Sequence, residues 1–303
     1  MIILSCSCGV YTVMDGERRI SCPARGVFRH SGITPLPGDE VTLRDTGDGV
    51  FIDSVAERKN SLIRPALANI SRLIICVAAK DPAPSQLFTD RMTAAAEAKG
   101  IEPVIVVTKA DLDREGAERI AGIYRAAGYD TVVTDMDCVP DLKLIKGDGE
   151  APVIVFAGAS GAGKSTLLNR LFPELTLKAG AISERIGRGK NTTRDTTVFP
   201  FAEDGSIIRE GDARRPAGFV ADTPGFTSLD FVKFDFIKLA ELAPAFREFR
   251  PYLGRCRYSD CRHTGDEGCA VCEAAKAGKI PAERLESYAT IYNELREKER
   301  TYQ

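Results

Sequence analysis

Apolar and polar residues alternate with a period of two in short stretches near the start of the chain: 11-YTVM-14, 21-SCPARGVFRH-30, 39-DEVTLRD-45 and 49-GVFIDSV-55. Asp15-Gly16, Pro37-Gly38-Asp39 and Gly47-Asp48-Gly49 separate them with tight-turn chemistry. About five strands in about 60 residues predict a small barrel of the OB type. An SH3-like barrel fits the spacing nearly as well. At Arg64-Pro65 the texture changes. Buried-strand patterns then alternate with helical ones: 72-RLIICVAA-79, a helix over 88–99 stopped by Gly100, 103-PVIVVT-108, and a helix over 113–127 stopped by Gly128. Further on come 152-PVIVFAG-158, a helix over 164–172 and 218-GFVAD-222. That alternation predicts a mostly parallel sheet covered on both faces. Residues 236–303 read as helical, with a cysteine-rich interruption over 256–272. The chain is therefore expected to be multidomain: an all-β barrel over 1–66, an α/β domain over 67–235 and a helical domain over 236–303.

Composition narrows the function classes. With 44% hydrophobic and 28% charged residues, the 303-residue chain reads as folded rather than disordered. A formal net charge of −2 excludes a wholly basic nucleic-acid binder, so any such contact needs a local patch. No Lys or Arg precedes the short apolar run in MIILSCSCGV, which makes it a poor signal peptide, and the expected location is the cytoplasm. Nine cysteines in a cytosolic chain point to metal before disulfides.

The stretch 158-GASGAGKST-166 fits G-x-x-x-x-G-K-[ST] between a strand and a helix. Gly158, Gly161 and Gly163 free the backbone to wrap a polyphosphate with its N–H groups. Lys164 is expected on the β- and γ-phosphates and Ser165 on Mg²⁺. Ser160, Ala162 and Thr166 complete the expected contacts. The loop alone does not separate ATP from GTP. Downstream, 222-DTPG-225 follows a strand, so Asp222 is a candidate to hold Mg²⁺ through water and the Gly225 N–H to sense a γ-phosphate. Between them lies 187-GRGKNTTRDTT-197, in which Thr193, or failing it Thr192, is expected to complete the Mg²⁺ shell.

The base is read from 108-TKAD-111 at the end of a predicted strand. The Asp111 carboxylate can accept from both guanine N1–H and the 2-amino group, a donor pair that adenine lacks. Lys109 is expected across the base plane, and Thr108 stands where Asn is more usual. This motif precedes the phosphate loop, the reverse of the common order. A circularly permuted P-loop GTPase accounts for that, because permutation is tolerated where old termini lie close.

Cys256, Cys261, His263 and Cys269 form C-x4-C-x-H-x5-C, four soft ligands suited to one structural Zn²⁺. Cys272 is a spare thiol able to replace one of them. Around the cluster Arg247, Arg250, Arg255, Arg257 and Arg262 face only Glu248 and Asp260. That reads equally as a modest RNA-phosphate patch or a solvated helix face.

In combination and in this order, 25-RGVFR-29, 35-PLPGDEV-41, 64-RPALANI-70, 108-TKAD-111, 158-GASGAGKST-166, 222-DTPGF-226 and the cysteine cluster resemble the ribosome small subunit-dependent GTPase A family. The resemblance covers essentially the whole chain. It implies an N-terminal OB-fold, a permuted GTPase core using GTP/GDP and a zinc domain. It also implies late maturation of the small ribosomal subunit, with hydrolysis stimulated by that subunit and its rRNA as partner. A monomer is expected, since no heptad or long apolar stripe asks for a second copy. The chain departs from the family where Asn191 replaces the usual switch histidine. Phe226 stands near where many GTPases place a glutamine, and Thr134-Asp135 replaces a Ser-Ala segment that contacts the base. These departures keep open a second reading, an RNA-binding scaffold with a degenerate nucleotide site; a third is an ATP-dependent P-loop enzyme in which TKAD is a coincidence.

Overall fold

A computed structural model describes residues 1–28, 32–63, 65–175, 196–222 and 237–301. The chain forms two compact units, each assembled from separate stretches. The first holds residues 1–72, 141–156 and 165–226, and the second holds 73–140, 157–164 and 227–303.

The first unit opens with an antiparallel meander of β1 (Ile2–Ser7), β2 (Val10–Asp15) and β3 (Arg18–Pro23), followed by the hairpin β4 (Val41–Asp45) and β5 (Val50–Val55). Backbone bridges from Ile2 to Glu40 and from Ala24 to Ile52 join the two pieces around Ile3, Val13, Cys22, Val41 and Ile52. These are the five expected strands, with β1 supplied by the apolar start of the chain. The stretch 21–30 is not one strand. β3 ends at Pro23, which has no N–H to donate, and residues 26–27 turn.

The texture change near residue 65 marks a small hairpin, β6 (Ser61–Ile63) and β7 (Ala66–Ala68). It explains two of the quoted motifs. At Gly38, with φ +87°, a Cβ would lie 2.3 Å from the Ala68 carbonyl oxygen, so only glycine fits beneath the hairpin. The adjacent Asp39 is fully buried and accepts two 2.7 Å hydrogen bonds from Arg58. Asn69 takes the left-handed conformation (φ +56°) and donates to the Gly38 carbonyl at 3.0 Å. Thus 35-PLPGDEV-41 and 64-RPALANI-70 hold each other.

In the second unit, β8 (Ile70–Ala78), β9 (Glu102–Thr108) and β10 (Asp130–Val133) lie in the order β10-β9-β8, and β10 runs parallel to β9. Helix α1 (Gln86–Ala98) connects β8 to β9, and α2 (Arg114–Ala126) connects β9 to β10. Ser85 caps α1 through the Phe88 N–H, and Asp113 caps α2 through the Gly116 N–H at 2.8 Å. Gly100 and Gly128 end the two helices in left-handed conformations, as expected.

The chain returns to the first unit through α3 (Leu142–Lys146) and β11 (Val153–Gly158). Helix α4 (Lys164–Leu171) follows, then β12 (Thr197–Phe201) and β13 (Gly218–Asp222). β11 and β13 are parallel, β12 and β13 antiparallel. Thr197, expected in a loop, instead begins β12 and pairs with Asp222. Thr196 is buried.

The last stretch of the second unit contains α5 (Leu239–Ala245), a 3-10 helix (Arg247–Tyr252), α6 (Ala270–Lys276) and α7 (Ala282–Thr301). Leu242, Phe246, Phe249, Val271, Tyr288 and Ile291 form its core. Among the described residues no helix is long and apolar enough to cross a membrane.

A buried charge network sits against this core. Arg284 is fully buried and donates to Asp90 at 2.7 Å and to Glu248 at 2.6 Å, with Phe246 under its guanidinium at 4.5 Å. Burial opposes its charge, but Asp90 and Glu248 more than offset that and hold it firmly cationic. Arg284→Met would strand two buried carboxylates. The expected cost is about 3–5 kcal/mol, measured by urea denaturation; a loss below about 1 kcal/mol would mean the network is not what seats α7.

Candidate nucleotide site and Cys/His centre

The phosphate loop follows β11, and three of its glycines have left-handed φ: Gly158 (+143°), Gly161 (+76°) and Gly163 (+82°). At Gly158 a Cβ would stand 2.4 Å from the Cys76 carbonyl oxygen, and backbone cannot yield there. Gly158→Ala is expected to cost about 1–3 kcal/mol and to weaken GDP binding at least about tenfold. Gly161→Ala would meet only Pro82 at 3.5 Å, an ordinary contact, and should be milder in the same titration.

Lys164 is half-buried, and its ammonium donates to the carbonyls of Gly158 (2.9 Å) and Ala159 (2.7 Å). Partial burial lowers its pKa, with the Cys76 thiol opposing weakly. Loop carbonyls thus hold the cation where a polyphosphate would compete for it. Beneath the loop, burial pushes Cys76 up to about 12, so it stays a thiol. Ser160 and Gly161 are exposed and Ala162 is buried. Ser165 and Thr166, on the first turn of α4, are exposed.

The base motif is tied to this loop by Thr108. Its buried hydroxyl donates to the Ala162 carbonyl at 2.8 Å. A Cβ on Gly163 would come within 3.3 Å of the same hydroxyl oxygen. The Thr in place of Asn therefore fixes the two loops to each other, a role no sequence spacing revealed. Lys109 is left-handed (φ +58°), and its ammonium donates to the Asp81 carbonyl. Asp111 is exposed. Lys109 and Asp111 stand beside a second loop through the Ala110 N–H, which donates to the Thr134 carbonyl at 3.2 Å. In that loop Thr134 donates to the Cys138 carbonyl, and the Asp135 carboxylate accepts from the Asp137 and Cys138 N–H groups at 2.9 and 2.8 Å. One oxygen of the Asp135 carboxylate serves its own turn, and the other lies 3.7 Å from Arg114.

Asp222 ends β13, opposite Thr197. The side chain of Asp222 and all of Asn191, Thr192, Thr193, Gly225 and Phe226 lie outside the described residues.

The cysteine-rich stretch brings Cys256, Cys261, His263 and Cys269 together, their ligand atoms all within 4.8 Å of one another. The His263 Nδ1 lies 3.5, 3.5 and 3.4 Å from the three sulfurs, and Cys256 Sγ lies 4.0 Å from Cys269 Sγ. A tetrahedral zinc with about 2.3 Å Zn–S and about 2.05 Å Zn–N bonds has edges of about 3.8 and about 3.6 Å, so the donor set fits that ion. Burial lowers the His263 pKa, with Asp266 opposing, which favours the neutral ring a metal needs. Cys272 points elsewhere: its N–H donates to Cys269 Sγ at 3.4 Å and its thiol donates to the His263 carbonyl at 3.7 Å.

The arginine patch is smaller than its sequence implies. Arg247 binds Glu97 and Glu102 and stacks on Tyr129, while Arg250 binds Glu97. Arg257 pairs with Glu267. Among the five, Arg255 and Arg262 make no side-chain ion pair in the described residues, and Arg262 donates its backbone N–H to the Asp266 carboxylate at 2.9 Å.

The family model for the RsgA GTPase matches residues 55–232, and that for the RsgA N-terminal domain matches residues 2–50. The chain belongs to the RsgA GTPase family. A curated relative from Geobacillus kaustophilus, a small ribosomal subunit biogenesis GTPase RsgA, is 39% identical over 305 residues, covering 99% of this chain and 98% of its own. The RsgA of Halalkalibacterium halodurans is 38% identical over 294 residues, with 95% and 94% covered. Among solved structures, YloQ, a circularly permuted GTPase, superimposes with a TM-score of 0.75 at 31% identity over 98% of this chain and 94% of its own. YjeQ from Thermotoga maritima gives 0.76 at 30%, covering 97% of both chains. As in that family, the fold is multidomain: an N-terminal β domain, a circularly permuted GTPase core and a C-terminal Cys/His region.

Proposed function

We propose that this protein is a GTP hydrolase of late small-subunit maturation, stimulated by the subunit it binds. The observation that carries the nucleotide reading is the Thr108–Ala162 hydrogen bond, which sets the base motif and the phosphate loop in one rigid frame. In this reading Asp111 and Lys109 hold guanine. The N–H groups over Gly158–Thr166, with Ser160, Gly161, Ala162 and Gly163, wrap the phosphates. Lys164 moves from the loop carbonyls onto the β- and γ-phosphates. Ser165, Asp222 and Thr193, with Thr192 as the alternative, hold Mg²⁺, and Gly225 senses the γ-phosphate. Mg²⁺ supplies charge neutralisation when bound. The Cys/His centre takes one structural Zn²⁺, and rRNA of the small subunit is the surface recognised. The proposed domains are residues 1–66, 67–235 and 236–303, in a cytoplasmic monomer.

Asn191 offers no imidazole at the switch position, and Phe226 offers no amide where many GTPases place a glutamine. Intrinsic turnover is therefore expected on the order of 10⁻² s⁻¹ or slower, measured by phosphate release without ribosomes. The partner reading is tested by sedimentation with purified small subunits. A non-hydrolysable GTP analogue should retain the protein on the pellet and GDP should release it. Equal retention with both would mean that hydrolysis does not govern release.

A further inference from the structure

The C-terminal segment is fastened to α1 along its whole length. Asp90 meets Arg284 at 2.7 Å, Arg91 meets Glu294 at 2.5 Å, and Glu97 meets both Arg247 (2.5 Å) and Arg250 (2.6 Å). Tyr124 donates to the same Asp90 at 2.8 Å. The first of these pairs is completely buried, so it resists solvent and salt as surface pairs do not. The fastening continues into the Cys/His loop, because the Tyr288 hydroxyl on α7 donates to the Arg262 carbonyl at 3.0 Å.

The other end of α1 reaches the nucleotide elements. Its leader, residues 79–85, is held twice by the base motif: the Ala79 N–H donates to the Thr108 carbonyl at 2.8 Å, and the Lys109 ammonium donates to the Asp81 carbonyl. A base lying on the Lys109 stem would immobilise that side chain and with it the contact to Asp81. The leader would stiffen, and α1 would carry the restraint to Arg284, α7 and the Cys/His loop. Coupling by loss of motion needs no displacement.

We propose that guanine occupancy itself, without the γ-phosphate, orders the Cys/His domain through the 79–85 leader and α1. This rests on the base reading of Lys109 and Asp111. It differs from a γ-phosphate switch in its nucleotide dependence.

The test is hydrogen–deuterium exchange on the full-length, metal-loaded protein, with GDP, a non-hydrolysable GTP analogue, or neither. Binding of each nucleotide is measured separately by calorimetry. The expected result is slowing of α7 and 256–272 amide exchange by about fivefold or more, to the same extent with GDP and the analogue. The Asp90→Asn variant touches no nucleotide contact and weakens the buried Arg284 pair that joins α1 to α7. It should still bind GDP and lose most of that slowing. An effect seen only with the GTP analogue would overturn the proposal in favour of a γ-phosphate route. Unchanged slowing in Asp90→Asn, or bound GDP with no slowing at all, would overturn it outright. Absence of GDP binding would instead sink the base reading on which it rests.

Discussion

Asp111→Asn should exchange guanine for xanthine. The carboxylate is exposed, and in the proposed reading it would accept from two guanine donors. An amide can accept from N1–H but presents its NH₂ to the 2-amino group, donor against donor. Xanthine carries a carbonyl there and restores the pair. A site built around such hydrogen bonds rejects a mismatched partner by about 10⁴-fold. GTP affinity should fall towards that limit while xanthosine triphosphate gains, measured by competition binding. ATP use that is unchanged by the substitution would contradict the guanine assignment and favour an ATP-dependent enzyme.

Removing the metal should have the second largest effect. Without a cation, burial pushes Cys261 up to about 12 and Cys269 to about 11, so both thiols would be protonated at neutral pH. A bound divalent ion makes them thiolates, and its binding energy then becomes folding energy. The loop over 256–269 has no regular secondary structure of its own, yet Cys269 caps α6 and lies in the core with Val271, Phe249 and Tyr288. Cys261→Ser, or a strong chelator, should therefore drop bound zinc from one equivalent to none. The thermal midpoint should fall by about 10 °C or more. A protein that holds no zinc as purified and does not shift with chelator would show that the four residues meet for packing alone.

The strands with continuous apolar runs were legible because both of their faces are buried. The run 218-GFVAD-222 is β13 to the residue, and Asp113, Gly100 and Gly128 mark helix ends by local chemistry. The short elements β6, β7, β10, α3 and β12 carried too few residues for a period to show. The residues 25–28 looked like a strand because Val27 and Phe28 are apolar, but the turn at 26–27 breaks the pairing. Long-range charge was hidden for another reason. Arg284 is 194 positions from Asp90, and Arg247 is 150 from Glu97, so neither arginine's partner stands in its local pattern. The arginine patch was overcounted on that account. The phosphate loop, base motif and Cys/His spacing were legible because each sits on a local turn. The hydroxyl that joins the first two was not, because it acts across 54 positions.

The central claim is hydrolysis driven by the small subunit. GTP turnover should be measured with the protein alone, with purified small subunits and with large subunits, using ATP as a control. The account predicts slow turnover alone, strong stimulation by the small subunit only, and no use of ATP. Bound nucleotide with no turnover under any condition would contradict it, and would leave a ribosome-binding scaffold whose site no longer hydrolyses.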